Sequence, residues 1–144
     1  MRMESGYLHW GHDISPEENQ YEANLNFSIS LKKNYDFIGK ESLLKMKDKK
    51  PKKRLIMLCL KGSKPGEPLM LHDEPIYLDN NIIGVTTSGN YSFNFNKNLS
   101  FGYIKSNHSN LELSKKNLFI EIEKIKYPAE VLLKPLKQTD FKKI

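Results

Sequence analysis

The stretch EPIYLDNNIIGVTTSG, Glu74 to Gly89, carries a clear secondary-structure signal. Apolar and β-branched residues lie on both sides of Asp79, Asn80 and Asn81. Asn and Asp tolerate the positive φ angles of a tight hairpin turn, whereas β-branched side chains favour strands. The stretch is therefore predicted to form two antiparallel strands joined by a short turn.

Similar patterns lie on both sides of this hairpin. RLIMLCLKG, Arg54 to Gly62, is an apolar run that ends at glycine, and LSFGYIKS begins at Leu99. LFIEIEKIKYPAEVLLKPL, from Leu118, is predicted to form two more strands around a turn near Lys124. Short strands at this spacing, separated by turn residues, indicate a closed barrel or a sandwich.

Residues 1 to 50 show a mixed pattern, which we interpret as an α+β lead-in. SPEE, Ser15 to Glu18, fits the start of a short helix, because serine caps helices and proline suits the first helical position. LNFSISLK, Leu25 to Lys32, alternates apolar and polar residues and is predicted to be a half-buried strand. The segment from Gly39 to Lys47 predicts an amphipathic helix of about two turns. A basic joint that contains proline, Lys45 to Arg54, is predicted to be a linker or helix end.

The composition is that of a folded protein of 144 residues, with seven Phe and seven Tyr. No apolar run approaches the roughly 18 residues that span a bilayer, and no signal-peptide pattern follows Met1, so no membrane association is expected. The single cysteine, Cys59, excludes an internal disulfide and a cysteine-built metal site. A reducing, cytoplasmic location is the expectation.

The net charge of +6 comes almost entirely from lysine, since Arg2 and Arg54 are the two arginines. Because Lys, Asn and Ile are abundant throughout, we interpret the charge as a general compositional bias. Nucleic-acid binding through Lys45 to Arg54 is the lowest-ranked alternative.

No catalytic set can be assembled from the sequence. His9, His12 and Asp13 have a spacing that could belong to a metal site, but a packed, hydrogen-bonded cluster with Tyr7 and Trp10 is preferred, and no metal is predicted. Cys59 lies in an apolar strand and is expected to be inert. TTSGNYS, Thr86 to Ser92, does not match a nucleophile or phosphate-binding motif, and its hydroxyls are expected to hydrogen-bond locally.

The motifs of the lead-in resemble the C-terminal part of the folate-dependent aminomethyltransferase family, which includes the glycine cleavage T-protein. The matching residues are Arg2, Glu4, Gly6, Tyr7, Trp10, Gly11 and Asp13, then Glu22, Ala23, Leu25 and Phe27, then Asp36 to Lys40, Ser42 and Leu43. The strand segments that begin at Lys52, Glu74 and Lys126 resemble the family's closing strands. The forms HWGHD and DFIGKESL are most similar to the dimethylglycine and sarcosine dehydrogenase branch.

This resemblance implies a mainly β protein with an α+β lead-in. Residues 51–144 would form the family's Greek-key-like C-terminal β-barrel domain, and residues 1–50 would be the tail of the preceding folate-binding domain. It also implies one-carbon transfer to tetrahydrofolate. In the family, the acidic residue that activates the folate amine comes from the N-terminal portion, so no catalytic residue is expected in this chain.

The chain is accordingly expected to begin inside a larger fold and to be inactive alone. Its implied partner is an N-terminal aminomethyltransferase portion or a flavin oxidoreductase subunit. The sequence contains no flavin-binding G-x-G-x-x-G segment, so no flavin is expected in this chain.

The resemblance implies folate contacts at Phe27, in the position of a family aromatic residue, with Tyr7 and Glu22 as further candidates; the alternative for Phe27 is a strand residue that faces the core. Lys137, with Lys142 and Lys143, lies where T-proteins tend to carry an arginine suited to the folate carboxylate. The alternative is a stand-alone folate-binding or oligomerising module. In that case Tyr7, Trp10, Leu25 and Phe27 would belong to an apolar surface that favours homo-oligomers.

Overall fold

The computed structural model describes residues 1–105 and 107–137. Six strands form a closed antiparallel barrel in the order β1-β4-β3-β2-β5-β6. The strands are β1 (Arg54–Leu60), β2 (Pro75–Leu78), β3 (Asn81–Ser92), β4 (Lys97–Ile104), β5 (Leu118–Ile122) and β6 (Ile125–Leu132). The barrel class predicted from the strand pattern is therefore confirmed. Lys142 and Lys143 lie outside the described residues.

The turns predicted at Asp79 and near Lys124 form, and a further turn lies at Asn96. Asp79, with φ 54°, connects β2 to β3, and Asn96, with φ 52°, precedes β4. Glu123 and Lys124, with φ 51° and 67°, connect β5 to β6. Each of these residues adopts the left-handed conformation that a tight turn requires.

Strand β1 is apolar at every position after Arg54 because both of its faces are buried. Its alternate residues belong to two apolar clusters, one inside the barrel (Ile56, Leu58, Leu60) and one outside it (Leu55, Met57, Cys59). Met3 and Leu8 from the lead-in pack against the outer cluster. The lead-in thus covers one side of the barrel.

The helices are short. Helix α1 (Lys40–Lys47) confirms the predicted amphipathic helix, but it buries no residue, and Leu44 and Met46 remain exposed. The Tyr21 hydroxyl donates a hydrogen bond to the Leu43 carbonyl of this helix at 3.1 Å. Helix α2 (Asn110–Leu113) begins at a capping box. Among the helices of the described residues, none is long and apolar enough to cross a bilayer.

The predicted strand from Leu25 to Lys32 is wrong. A 3₁₀ turn, Asn26–Ser28, lies there, and turns and bends follow it. The barrel is closed, so every strand already has two hydrogen-bonded neighbours and no edge is left for a further strand. Within the described residues the lead-in contains helix α1, 3₁₀ turns at Met3–Ser5 and Asn26–Ser28, other turns and an isolated β-bridge between Trp10 and Ile14, but no strand.

The predicted helix at Ser15 to Glu18 is also wrong, although its capping contacts form. The Ser15 hydroxyl donates to the Glu18 carboxylate at 2.7 Å, and the Glu17 N–H donates to Ser15 Oγ. Asn19 Oδ1 then accepts hydrogen bonds from the N–H groups of residues 21 and 22. Two successive local caps satisfy the backbone in place of a continuous helix.

Candidate functional site

A cleft of about 520 Å³ lies between the lead-in and the outer side of the barrel. Lead-in residues 5–8 and 23–27 form one wall, and β1, Phe101 of β4 and residues 132–135 form the other. Tyr7 and Phe27 present exposed aromatic rings beside this cleft, at 55% and 82% exposure. A pocket of this size with an aromatic and aliphatic lining suits a flat organic ligand.

The first of two buried carboxylates that hold the lead-in on the barrel is Asp13, which is fully buried. Its Oδ2 accepts from Arg2 Nη1 at 2.7 Å and from the His9 N–H at 2.8 Å. Its Oδ1 accepts from the hydroxyls of Thr87 and Ser88 in β3, at 2.6 and 2.7 Å. Both oxygens are therefore surrounded by donors, which is the environment in which an ionised carboxylate is stable in a buried position.

The second buried carboxylate is Glu4, which contacts the far end of β3. Ser92 donates to Glu4 Oε1 at 2.6 Å, and Asn94 Nδ2 donates to Oε2 at 2.9 Å. The Lys137 N–H donates to the Glu4 carbonyl at 2.8 Å, so the segment after β6 is attached at the same point.

Further contacts join the middle of the lead-in to β1 and β4. Lys53 Nζ lies 2.6 Å from Glu18 Oε1 and 4.7 Å from the ring centroid of Tyr103. The Tyr103 hydroxyl donates to the Asp13 carbonyl at 3.0 Å, and the Leu55 N–H donates to a lead-in carbonyl, that of residue 22, at 2.7 Å. The lead-in wall of the cleft is thus held in place by polar contacts on both sides.

The expectation that the TTSGNYS hydroxyls bond locally is wrong for Thr87, Ser88 and Ser92. These side chains reach carboxylates more than 70 positions away in the sequence. Sequence reasoning missed this role, although a visible signal was present. The signal consists of two acidic lead-in residues near apolar positions, Asp13 and Glu4, and a run of hydroxyl residues in a strand. Buried carboxylates need hydrogen-bond donors, and such a run can supply them.

The candidate folate residues separate into two groups. Tyr7 and Phe27 line the cleft. Glu22 and Lys137 are not among the described residues that line it; Glu22 Oε2 accepts from the Asn19 N–H at 3.3 Å, and Lys137 is exposed beside Glu4. The aromatic candidates are therefore brought together, and the charged ones lie apart from them.

The histidine-rich stretch does not form the packed aromatic cluster that was preferred for it. The His9 and His12 rings stack at 4.5 Å between centroids, but Tyr7 and Trp10 are exposed. Among residues 1–105 and 107–137, no group of three or more His, Cys, Asp or Glu side chains is placed to hold a metal ion. Cys59 is buried, and this burial raises the pKa of its thiol.

The two buried carboxylates predict a loss of stability in acid. Burial alone would raise the pKa of Asp13, but its four hydrogen-bond donors hold that pKa below the usual 3.8. Hydrogen bonds from Ser92 and Asn94 lower the pKa of Glu4 below 4.5. The unfolded chain therefore binds protons more tightly than the folded protein, and we expect the free energy of unfolding to fall as the pH drops from about 5 towards 2.

Urea unfolding measured at intervals between pH 7 and pH 3 would test this. The variant Asp13→Asn, which cannot ionise at this position, should show a shallower decline over the acidic half of that range. An unchanged slope in the variant would contradict the assignment to Asp13.

Comparison with known proteins identifies the family. Residues 53–137 match the glycine cleavage T-protein C-terminal barrel domain. The chain belongs to this family. The resemblance read from the sequence motifs is therefore confirmed, and the closed barrel is this family's C-terminal domain.

Longer relatives contain the barrel domain and its lead-in together. The chain is 34% identical to dimethylglycine dehydrogenase, mitochondrial, of Rattus norvegicus over 97% of its own length and 16% of that protein. It is 29% identical to an aminomethyltransferase of Synechococcus elongatus, over 94% of its length and 34% of the relative. The chain therefore spans about a sixth of the dehydrogenase and a third of the aminomethyltransferase.

A solved structure shows the same fold. The glycine cleavage system aminomethyltransferase T of Bartonella henselae matches with a TM-score of 0.75 and 24% sequence identity. The match covers 94% of this chain and 37% of that protein. The lead-in is thus part of the matched fold, together with the T-protein barrel.

Proposed function

We propose that this T-protein barrel chain supplies one wall of a tetrahydrofolate site for one-carbon transfer. In this proposal, residues 51–144 are the barrel domain and residues 1–50 are the tail of a folate-binding domain. The rest of the site comes from an N-terminal aminomethyltransferase portion or a flavin oxidoreductase subunit. Family membership and the share of each relative that the chain covers support this reading.

The observation that carries the proposal is the cleft with Tyr7 and Phe27. A pterin or p-aminobenzoyl ring is flat, and aromatic side chains stack on such rings at centroid separations of about 4.5–7 Å. Leu55, Met57 and Phe101 provide the apolar floor. Phe27 has no hydroxyl group, so it would contribute ring contact without a hydrogen bond.

The lining of the cleft supports the proposal that the chain is inactive alone. The described residues that line it include no Asp, Glu, His or Cys side chain, and its titratable side chains are Tyr7 and Lys134. One-carbon transfer to a folate amine needs a group that accepts or donates a proton. At neutral pH a phenol and an ammonium group are protonated and accept no proton, so the group that accepts it would come from the partner portion.

Titration of the chain with tetrahydrofolate by calorimetry tests the proposal. We expect micromolar binding, and we expect Phe27→Ala to weaken it about tenfold, because one aromatic contact contributes about 0.5–1.5 kcal/mol beyond its buried area. The matched control is Phe93→Ala, since Phe93 is 75% exposed and lies between β3 and β4, outside the cleft. Equal affinities for the two variants, or no binding by the parent chain, would contradict a folate role for the cleft.

A stand-alone oligomerising module remains the second candidate because of one observation. Tyr7, Trp10 and Phe27 expose large apolar side chains, at 55%, 65% and 82%, on the lead-in. Light scattering at tens of micromolar protein separates the two candidates. A dimer that dissociates in Trp10→Ser, together with no folate binding, would favour the module, and a monomer would remove it.

A further inference from the structure

The two ends of the barrel differ in charge. One end, which we name the basic end, consists of residues 48–54, 79–82, 105 and 107–117. These segments meet because Arg54 pairs with Ile104 and Leu78 pairs with Leu118. The opposite end consists of residues 61–74, 93–97 and 123–124.

Direct contacts bring the lysine-rich joint against helix α2 and its flanking residues. Lys50 Nζ donates to Asn107 Oδ1 at 2.9 Å, and Arg54 Nε donates to Asn110 Oδ1 at 3.0 Å. The Asp79 N–H donates to the carbonyl of residue 117 at 3.0 Å, which places the β2–β3 turn beside the same helix. Cations that are far apart in the sequence therefore share one surface.

This surface carries an excess of positive charge. Its exposed lysines include Lys49, Lys50, Lys52, Lys105, Lys115 and Lys116. Its acidic residues are Asp48, Asp79 and Glu112, and the Glu112 carboxylate is engaged by the Ser109 N–H and hydroxyl. The opposite end is mixed, since Lys61, Lys64, Lys97 and Lys124 lie there with Glu67, Asp73, Glu74 and Glu123. A general lysine bias does not explain an asymmetry between the two ends.

Exposed aliphatic side chains lie among these lysines. Ile82 and Leu111 are 60% and 58% exposed. Arg54 contributes less to the positive charge of this surface than the exposed lysines do. Its guanidinium donates hydrogen bonds to Asn110 Oδ1 and to the His108 carbonyl. Within the described part of the chain, the large exposed aromatic residues lie elsewhere, at positions 7–37 and 93–95.

This combination of residue types favours one kind of binding partner over the others. Protein interfaces are enriched in Trp, Tyr and Arg and depleted in Lys. Single-stranded nucleic acid is held by aromatic rings that stack on the bases. Lysine clusters with protruding aliphatic side chains fit an anionic bilayer, where lysines meet headgroups and apolar side chains enter the headgroup boundary.

We propose that the basic end is a peripheral docking surface for anionic lipid bilayers, with the lysines at the headgroups and Ile82 and Leu111 at the acyl boundary. Docking of this kind crosses no bilayer and uses neither the cleft aromatics nor the two buried carboxylates. The chain would bind membranes in proportion to their negative surface charge, and salt would weaken this binding.

Co-sedimentation of the full chain with vesicles of phosphatidylcholine containing 0, 20 or 40% phosphatidylglycerol tests the proposal. The variant Lys52→Gln/Lys115→Gln/Lys116→Gln removes three positive charges from the basic end. Since one lysine near an anionic surface contributes roughly a fivefold change in binding, the expected loss is on the order of 100-fold. The control Lys61→Gln/Lys64→Gln/Lys124→Gln removes the same charge from the opposite end and should change binding far less.

A second variant separates lipid from nucleic acid. Leu111→Ser removes one exposed aliphatic side chain and should weaken vesicle binding several-fold, while leaving any binding to a fluorescent 20-nucleotide RNA unchanged. Binding that increases with phosphatidylglycerol, with losses in both basic-end variants, supports the proposal. Equal losses in the two triple variants, binding to RNA without binding to vesicles, or no binding to either would overturn it.

Discussion

Asp13→Asn is expected to lower the free energy of unfolding by about 3 kcal/mol. This is the cost of removing one partner of a buried, hydrogen-bonded ion pair while the other partner stays. Oδ2 of Asp13 faces two donors, Arg2 and the His9 N–H, and Oδ1 faces the hydroxyls of Thr87 and Ser88. An asparagine amide must place its NH₂ group against donors in either orientation. Urea unfolding at pH 7 measures the loss.

The matched control is Asp36→Asn. The Asp36 carboxylate is exposed and accepts a hydrogen bond from the N–H of the next residue. Exposed substitutions of this kind usually change stability by less than about 0.5 kcal/mol. If the two variants unfold at the same urea concentration, Asp13 does not hold the lead-in on the barrel.

Gly84→Ala is expected to have the largest effect on the barrel itself, a loss of about 4 kcal/mol or more, which is a large part of the total stability of most domains. A Cβ atom at Gly84 would lie 1.9 Å from the Tyr103 carbonyl oxygen and 2.9 Å from Ile104 Cα. These are backbone atoms of β4, so no side-chain rotation can relieve the contact. Circular dichroism during urea or thermal unfolding measures the change.

Gly66→Ala provides the same chemical change without the collision. Gly66 has φ +74°, and no atom lies within 4 Å of the added Cβ. The expected cost is the backbone strain alone, about 1–2 kcal/mol. A Gly84 variant no less stable than the Gly66 variant would show that β3 and β4 can separate at this point without penalty.

The turns of the barrel were predictable from local chemistry. Asp79 and Lys124 lie at positive φ in turns that the sequence marked, and the strands between them needed only apolar alternation or an apolar run. Local signals suffice here because each hairpin joins strands that are adjacent in both sequence and space.

The lead-in was not predictable in the same way. Leu25 to Lys32 alternates as a strand does, but an alternating segment becomes a strand only where another strand has free hydrogen-bonding groups. The closed barrel offers none, so Phe27 lies in a 3₁₀ turn beside the cleft. Whether the barrel closes depends on long-range pairing, which no local pattern records.

The candidate site also has parts that the sequence predicted and parts that it did not. Tyr7 and Phe27 were named from motif resemblance and meet at the cleft, whereas Glu22 and Lys137 do not line it. The pairing of Asp13 and Glu4 with hydroxyls of β3 joins residues more than 70 positions apart. Contacts of that range are decided by the whole fold.

Closure of the barrel also constrains when the protein can fold. Strand β1 pairs with β6, so Leu60 lies opposite Ala129 and Met57 opposite Leu132. During synthesis, one edge of β1 stays without its partner until β6 has left the ribosome. Such distant pairings slow folding, and an open apolar edge invites association with other chains. The nascent chain is therefore most vulnerable to aggregation just before β6 emerges, and a chaperone would be most useful at that stage.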